Sequence, residues 1–240
     1  MSDVKGWFVT GTDTGVGKTT IACALVRALR ARAVRVAVAK PVASGAKRTA
    51  QGLRNDDALE LAAAANLAVT ATHDYQRINP FCFEPPIAPH IAAAEAGVTI
   101  DVAALAARIR ANAAENDWLV VEGAGGWRVP LDATRDFSDL AIALDLPIVL
   151  VVGLRLGCIN HALLSAESIA ASGLKLTGWI ANGIDPAMAR AMENIATLTA
   201  RLGAAPSMVV PHGATSAAIT SLAEPAIDRL MVGFSAQPAG

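Results

Sequence analysis

The sequence predicts a single α/β domain, a mostly or wholly parallel β-sheet with helices on both faces. Two observations predict it. Short β-branched runs alternate with longer segments rich in alanine and leucine, the pattern of doubly covered parallel strands joined by helical crossovers. A glycine-rich stretch, GTDTGVGKTT at residues 11–20, joins the first such run to the first alanine-rich segment. At 240 residues and 53% apolar composition, residues 1–240 suffice for one large core.

Taken in order, strands are predicted at residues 7–9, 34–39, 118–121, 148–152, 177–181 and 208–210. Helices are predicted at residues 19–31, 56–65, 91–96, 102–114, 137–144, 161–171 and 187–202. Residues 44–55, residues 70–89 and the tail from 223 to 240 break the rhythm and receive no element. The stretch HDYQRINPFCFEPPIAPH (residues 73–90) gathers proline and aromatics in a chain with only 4% aromatic residues. That composition suggests an ordered loop, either an active-site wall or a surface loop packed on its own side chains. There is no internal repeat or interdomain linker.

Composition narrows the partners. The 20 basic and 21 acidic residues balance, so neither nucleic acid nor a membrane surface is expected. Cys23, Cys82 and Cys158 are odd in number and widely spaced, which fits neither a disulfide framework nor a metal cluster. With no signal-like N-terminus and no long apolar run, a cytoplasmic protein acting on a small ligand is expected.

In an open parallel sheet, ligands gather beyond the carboxyl ends of the strands. The loop after the first strand has the look of a phosphate cradle displaced by one residue, with Gly11 just outside the usual position and Thr12 in it. Gly15, Val16, Gly17 and Thr20 would present amides to phosphate oxygens; Lys18 would meet the β- and γ-phosphates and Thr19 would bind Mg²⁺. After the second strand, Lys40 opens KPVASG; because consecutive strands are usually neighbours, it is expected beside the phosphate loop. Glu122 follows an apolar strand and heads GAGG, so it is a candidate metal-side acid with Asp57 or Asp56. Either aspartate could instead complement a helix dipole. Gly157, Cys158, Ile159 and Asn160 precede a helix and offer free amides, a possible carboxylate site. Asn182, and Pro211 to Gly213 around His212, stand where a nucleobase edge could be read, or where a simple turn is made.

Five motifs, GTDTGVGKT, KPVASG, GLRNDDA, VEGAGGW and LGCINHALL, occur in an order and spacing that closely resembles the dethiobiotin synthetase family. The resemblance covers roughly Trp7 to Gly213 and implies a P-loop NTPase fold. It implies an ATP- and Mg²⁺-dependent ligase that joins CO₂ to 7,8-diaminononanoate and closes a cyclic urea through a carbamate and a carbamic-phosphoric anhydride. By motif match it assigns Lys18 to the phosphoryl side and Lys40 to the carbamate side. Ser44 and Thr14 orient the diamine, and Thr19, Asp57 and Glu122 hold Mg²⁺. Gly123, Ala124 and Gly125 form a nucleotide-side loop, and Asn182, Gly183, Pro211, His212 and Gly213 make adenine-side contacts. It further implies a homodimer with the site at the subunit interface, where Gly157 to Asn160 of the other chain receive the substrate carboxylate. One departure is Gly15, where some relatives carry a side chain. The alternative is a partition or septum-site ATPase switch, whose loop places a signature lysine where this sequence has Asp13.

Overall fold

The computed structural model describes residues 4–232. In chain order these form β1 (Lys5–Gly11), α1 (Lys18–Ala31), β2 (Val36–Ala39), β3 (Val42–Ala43), β4 (Lys47–Thr49), β5 (Gly52–Arg54), α2 (Asp56–Ala64) and α3 (Thr72–Ile78). There follow β6 (Phe81–Cys82), α4 (Pro89–Glu95), α5 (Val102–Ala113), β7 (Trp118–Glu122), α6 (Phe137–Leu144), β8 (Ile148–Leu154) and α7 (Cys158–Ala171). The chain then makes β9 (Leu176–Gly183), α8 (Ala191–Leu202), β10 (Met208–Val210) and α9 (Ser216–Val232).

Six strands pair in the order β10-β9-β8-β1-β7-β2, every pairing parallel. Alternation along each strand sorts side chains between two cores. Trp7, Val9, Val149 and Val151 point to the face covered by α1, α2 and α9, while Phe8, Ile148, Leu150 and Val152 point to that of α5, α6 and α7. Both faces are sealed, which explains runs of unbroken apolar residues rather than a polar–apolar alternation. On the α1 side Trp7 and Trp118 meet edge-to-face across paired strands, with centroids 4.8 Å apart. Fully burying each large apolar side chain here stabilises the fold by about 1.5–3 kcal/mol.

Sheet order corrects one expectation. Lys40 follows β2, yet β2 does not border β1; β7 lies between them. Strand adjacency is a tendency of successive elements, and here the chain returns later to fill the gap. The three unassigned stretches also hold elements. Residues 44–55 form the antiparallel β4–β5 hairpin, and residues 70–89 contain α3 and β6. The tail from Ala223 continues α9, whose Ile219, Ala223, Ala226, Ile227 and Leu230 are buried at helical spacing. Pro225 inside α9 hid that periodicity. Residues 233–240 of the expected tail lie outside the described residues. The helix predicted from His161 begins at Cys158, and the one predicted from Ala187 begins at Ala191. No described helix is long and apolar enough to cross a membrane.

Candidate active site

The phosphate loop leaves β1 and enters α1 through Gly17, whose φ of 86° suits glycine. A Cβ there would also stand 2.2 Å from Asn182 Nδ2. That amide donates to the Val16 carbonyl at 2.8 Å, tying the loop to the end of β9. The Ile21 N–H makes the first helical bond, to the Gly17 carbonyl, so the amides of residues 18–20 remain for an anion and the helix dipole favours one. Lys18 is buried, and its Nζ donates to the Asp13 carbonyl at 2.8 Å. Burial, with the nearby charge of Lys40, pushes the Lys18 ammonium down to about 8. The Asp13 carboxylate accepts the Thr14 N–H at 2.7 Å and pairs with Arg155, just past β8. Sequence reasoning missed Arg155, although its place at a strand's carboxyl end was the available signal.

Because β7 lies between β1 and β2, its last residue, Glu122, meets side chains from both flanks. Glu122 is fully buried; its Oε1 accepts from Lys40 Nζ at 2.5 Å and from the Thr19 hydroxyl at 2.8 Å. Lys40 Nζ also reaches Asp57 Oδ2 at 2.9 Å and the Gly123 carbonyl at 3.2 Å. Burial opposes the Lys40 charge, but Glu122 and Asp57 outweigh it and hold its pKa above the ordinary lysine value. Partial burial opposes the Asp57 charge too, yet Lys40 and Thr19 bring its carboxyl below the usual range. Asp56, by contrast, faces outward and pairs with Lys47 at 2.6 Å. Of the two aspartates left open by sequence, Asp57 faces the site.

Thr19, Asp57 and Glu122 thus form an all-oxygen set suited to a hard divalent cation. Glu122 Oε2 is buried without a partner, as a ligand-ready oxygen would be. Among the described residues no three His, Cys, Asp or Glu side chains cluster as a self-sufficient metal site. A cation here would take further oxygens, of the kind that phosphates and water supply.

A cavity of about 780 Å³ opens over these groups. Thr14, Gly15, Gly17, Thr20, Ala124 and Gly125 line it on the phosphate-loop side. Ser44, whose buried hydroxyl has no protein partner, lies on the other side with residues 86–89. The proline-rich stretch is therefore a wall of the cavity. Glu60 also lines it and was not singled out from sequence.

The remaining candidates lie elsewhere. Gly157, at φ 96°, precedes α7 with Cys158 buried and Asn160 exposed, and residues 157–160 do not line the cavity. Asn182 and Gly183 end β9 beside exposed Pro211 and His212; a Cβ on Gly183 would stand 2.7 Å from the His212 backbone nitrogen. Through the Asn182–Val16 bond this corner abuts the phosphate loop.

A family model described as "AAA domain" matches residues 5–212. A Pseudomonas paraeruginosa protein named ATP-dependent dethiobiotin synthetase BioD is 56% identical over 202 residues, covering 84% of this chain and 87% of that one. A protein of the same name from Aromatoleum aromaticum is 50% identical over 212 residues, covering 88% and 92%. The chain belongs to the dethiobiotin synthetase family. Membership places it among ATP-dependent synthetases, ligases that join carbon to nitrogen. Solved structures share the fold at lower identity. The cell-division ATPase MinD of Pyrococcus furiosus superposes with a TM-score of 0.56 at 16% identity, covering 94% of this chain and 99% of that one. The MinC:MinD complex of Aquifex aeolicus gives 0.57 at 18%, covering 99% and 98%. Of the five motifs, four line the cavity that holds Lys18, Lys40 and Glu122, and LGCINHALL lies outside it.

Proposed function

We propose that the chain uses ATP to close a cyclic urea on 7,8-diaminononanoate with CO₂, giving dethiobiotin, ADP and phosphate, the penultimate step of biotin synthesis. The observation that carries this reading is the pairing of two buried lysines in one cavity with the unpartnered Ser44 hydroxyl. Phosphate binding alone asks for Lys18; it leaves Lys40 and Ser44 unexplained. One amine of the diamine attacks CO₂, forming the first C–N bond and losing a proton. The carbamate oxygen attacks the γ-phosphorus and ADP leaves. The second amine then attacks the carbamoyl carbon and loses a proton, closing the ring as phosphate departs.

The diamine supplies both nucleophiles, so the protein's part is positioning and charge stabilisation. Lys18 faces the transferred phosphoryl group, Lys40 the carbamate, while Ser44 and Thr14 orient the amines. Thr19, Asp57 and Glu122 would hold Mg²⁺, which neutralises charge on the β- and γ-phosphates. One Asn182 amide hydrogen goes to the Val16 carbonyl, and its side-chain carbonyl oxygen would accept from an adenine amino group. The Gly157–Asn160 turn would receive the substrate carboxylate from a second copy in a homodimer, which suits its position outside the cavity. The test is to supply diamine, bicarbonate, Mg²⁺ and ATP and to look for the cyclic urea by mass spectrometry. Product requiring all four supports the assignment, and no product under any condition defeats it.

A further inference from the structure

Behind the cavity, α3 meets the Lys40 loop and the start of α2, which carries Asp57, through a buried polar cluster. At its centre the Tyr75 hydroxyl accepts the Asn55 backbone N–H at 2.7 Å and donates to Asn79 Oδ1 at 2.8 Å. The Arg54 guanidinium lies 4.3 Å over the Tyr75 ring. Asn79 Nδ2 donates to the Lys40 carbonyl at 2.6 Å and to the Phe81 carbonyl at 3.1 Å, and the Lys40 N–H donates to the Ile78 carbonyl at 2.8 Å. Asn55 caps α2 by accepting the Ala58 N–H at 3.3 Å, and its Nδ2 donates to the Ser44 carbonyl at 3.4 Å. Asp57 sits in the first turn of that helix.

One hydroxyl therefore links the backbones of Lys40, Ser44 and the α2 start. Desolvating Tyr75, Asn55 and Asn79 is costly unless every polar group is matched, and a matched buried network fixes one geometry. The phosphate loop is anchored separately, by Asn182 and Arg155.

We propose that Tyr75, acting with Asn55 and Asn79, is a positioning residue that sets Lys40, Ser44 and Asp57 relative to one another without touching the reactants. This rests on the cyclic-urea chemistry proposed above. The experiment is a double-mutant cycle of Tyr75→Phe with Lys40→Ala, read as kcat and KM for ATP. Tyr75→Phe is expected to lower kcat by about 10- to 100-fold, as small misplacements do, with KM for ATP within about twofold. In the Lys40→Ala background the same change should cost measurably less, because one of the three groups it positions is gone. Equal losses in both backgrounds, or a Tyr75→Phe enzyme with unchanged kcat, would overturn the role; Asn79→Ala, which spares the ring, must follow the same pattern.

The wild-type control separates the two ideas, since a wild type that makes no cyclic urea refutes the functional reading alone. Positioning is also read without turnover. Binding of a non-hydrolysable β,γ-imido ATP analogue should tighten less on adding Mg²⁺ in Tyr75→Phe than in wild type, while its Mg²⁺-free affinity stays unchanged. An identical Mg²⁺ increment would overturn the role.

Discussion

Lys40→Ala tests the geometry most directly. The substitution deletes a buried ammonium that Glu122 meets at 2.5 Å and Asp57 at 2.9 Å. Glu122, fully buried, keeps only the Thr19 hydroxyl at 2.8 Å. Stranding one partner of a buried ion pair costs about 3–5 kcal/mol, which for a chain of this size lowers Tm by about 6–20 °C. Adding Mg²⁺ and ATP should recover part of that loss, because a cation beside Glu122 replaces the missing charge. Catalysis should suffer separately: losing one stabilising charge lowers kcat by roughly 10²- to 10³-fold, while Lys18 and the loop amides keep ATP affinity near wild type. Calorimetry or dye-based melting with and without Mg²⁺ and ATP gives the first effect, mass-spectrometric product assays the second. A variant with full turnover removes Lys40 from the mechanism. A variant with unchanged Tm means that the Glu122 contact does not bear on stability.

Gly17→Ala combines a left-handed φ of 86° with a Cβ 2.2 Å from Asn182 Nδ2; it should abolish ATP binding measured by calorimetry. Asn160→Asp should raise the apparent KM for the diamine, since a carboxylate would repel the substrate's own; an unchanged KM counts against that contact. Arg35 binds Asp117 at 2.7 Å and holds its carboxyl down to about 2, against an ordinary 3.8. A depressed carboxylate pKa contributes stability above the unfolded value and loses it as pH falls toward the folded one. Asp117→Asn should therefore be less stable than wild type at neutral pH, and the gap should close as acid approaches pH 2. A gap that widened in acid would reverse the sign of that linkage.

Much of the site was legible because each chemical motif follows an apolar strand, and strand ends point to one side of a parallel sheet. Trp7–Val9, Trp118–Val121 and Ile148–Val152 announce themselves by β-branched and aromatic content, and their carboxyl ends deliver the phosphate loop, Glu122 and the Gly157 turn. The order of those strands was not legible, because nothing local to Lys40 says that β7 will arrive between β2 and β1. Nor was α3. Its sequence THDYQRI lacks the alanine-rich face of its neighbours, and Tyr75 is buried for its hydroxyl as much as for its ring.

That sheet order also explains how one acid serves both lysine-bearing loops. Had β2 bordered β1, Lys40 would have stood beside Lys18 with no carboxylate between their strands, and two buried ammoniums would repel in a low-dielectric pocket. Placing β7 in the gap puts Glu122 under Lys40 and Thr19 at once. The effect is visible in the opposite shifts: Lys40, facing two carboxylates, holds its proton firmly, whereas Lys18 is pushed down to about 8. Lys18 is thus the lysine left short of negative charge, a need that a triphosphate would meet under the proposed function. Asp13 sharpens the contrast with the septum-site ATPases. Where a switch would place another lysine, this loop has a carboxylate turned toward Arg155; the second buried lysine, Lys40, follows β2 and is paired with Glu122 and Asp57.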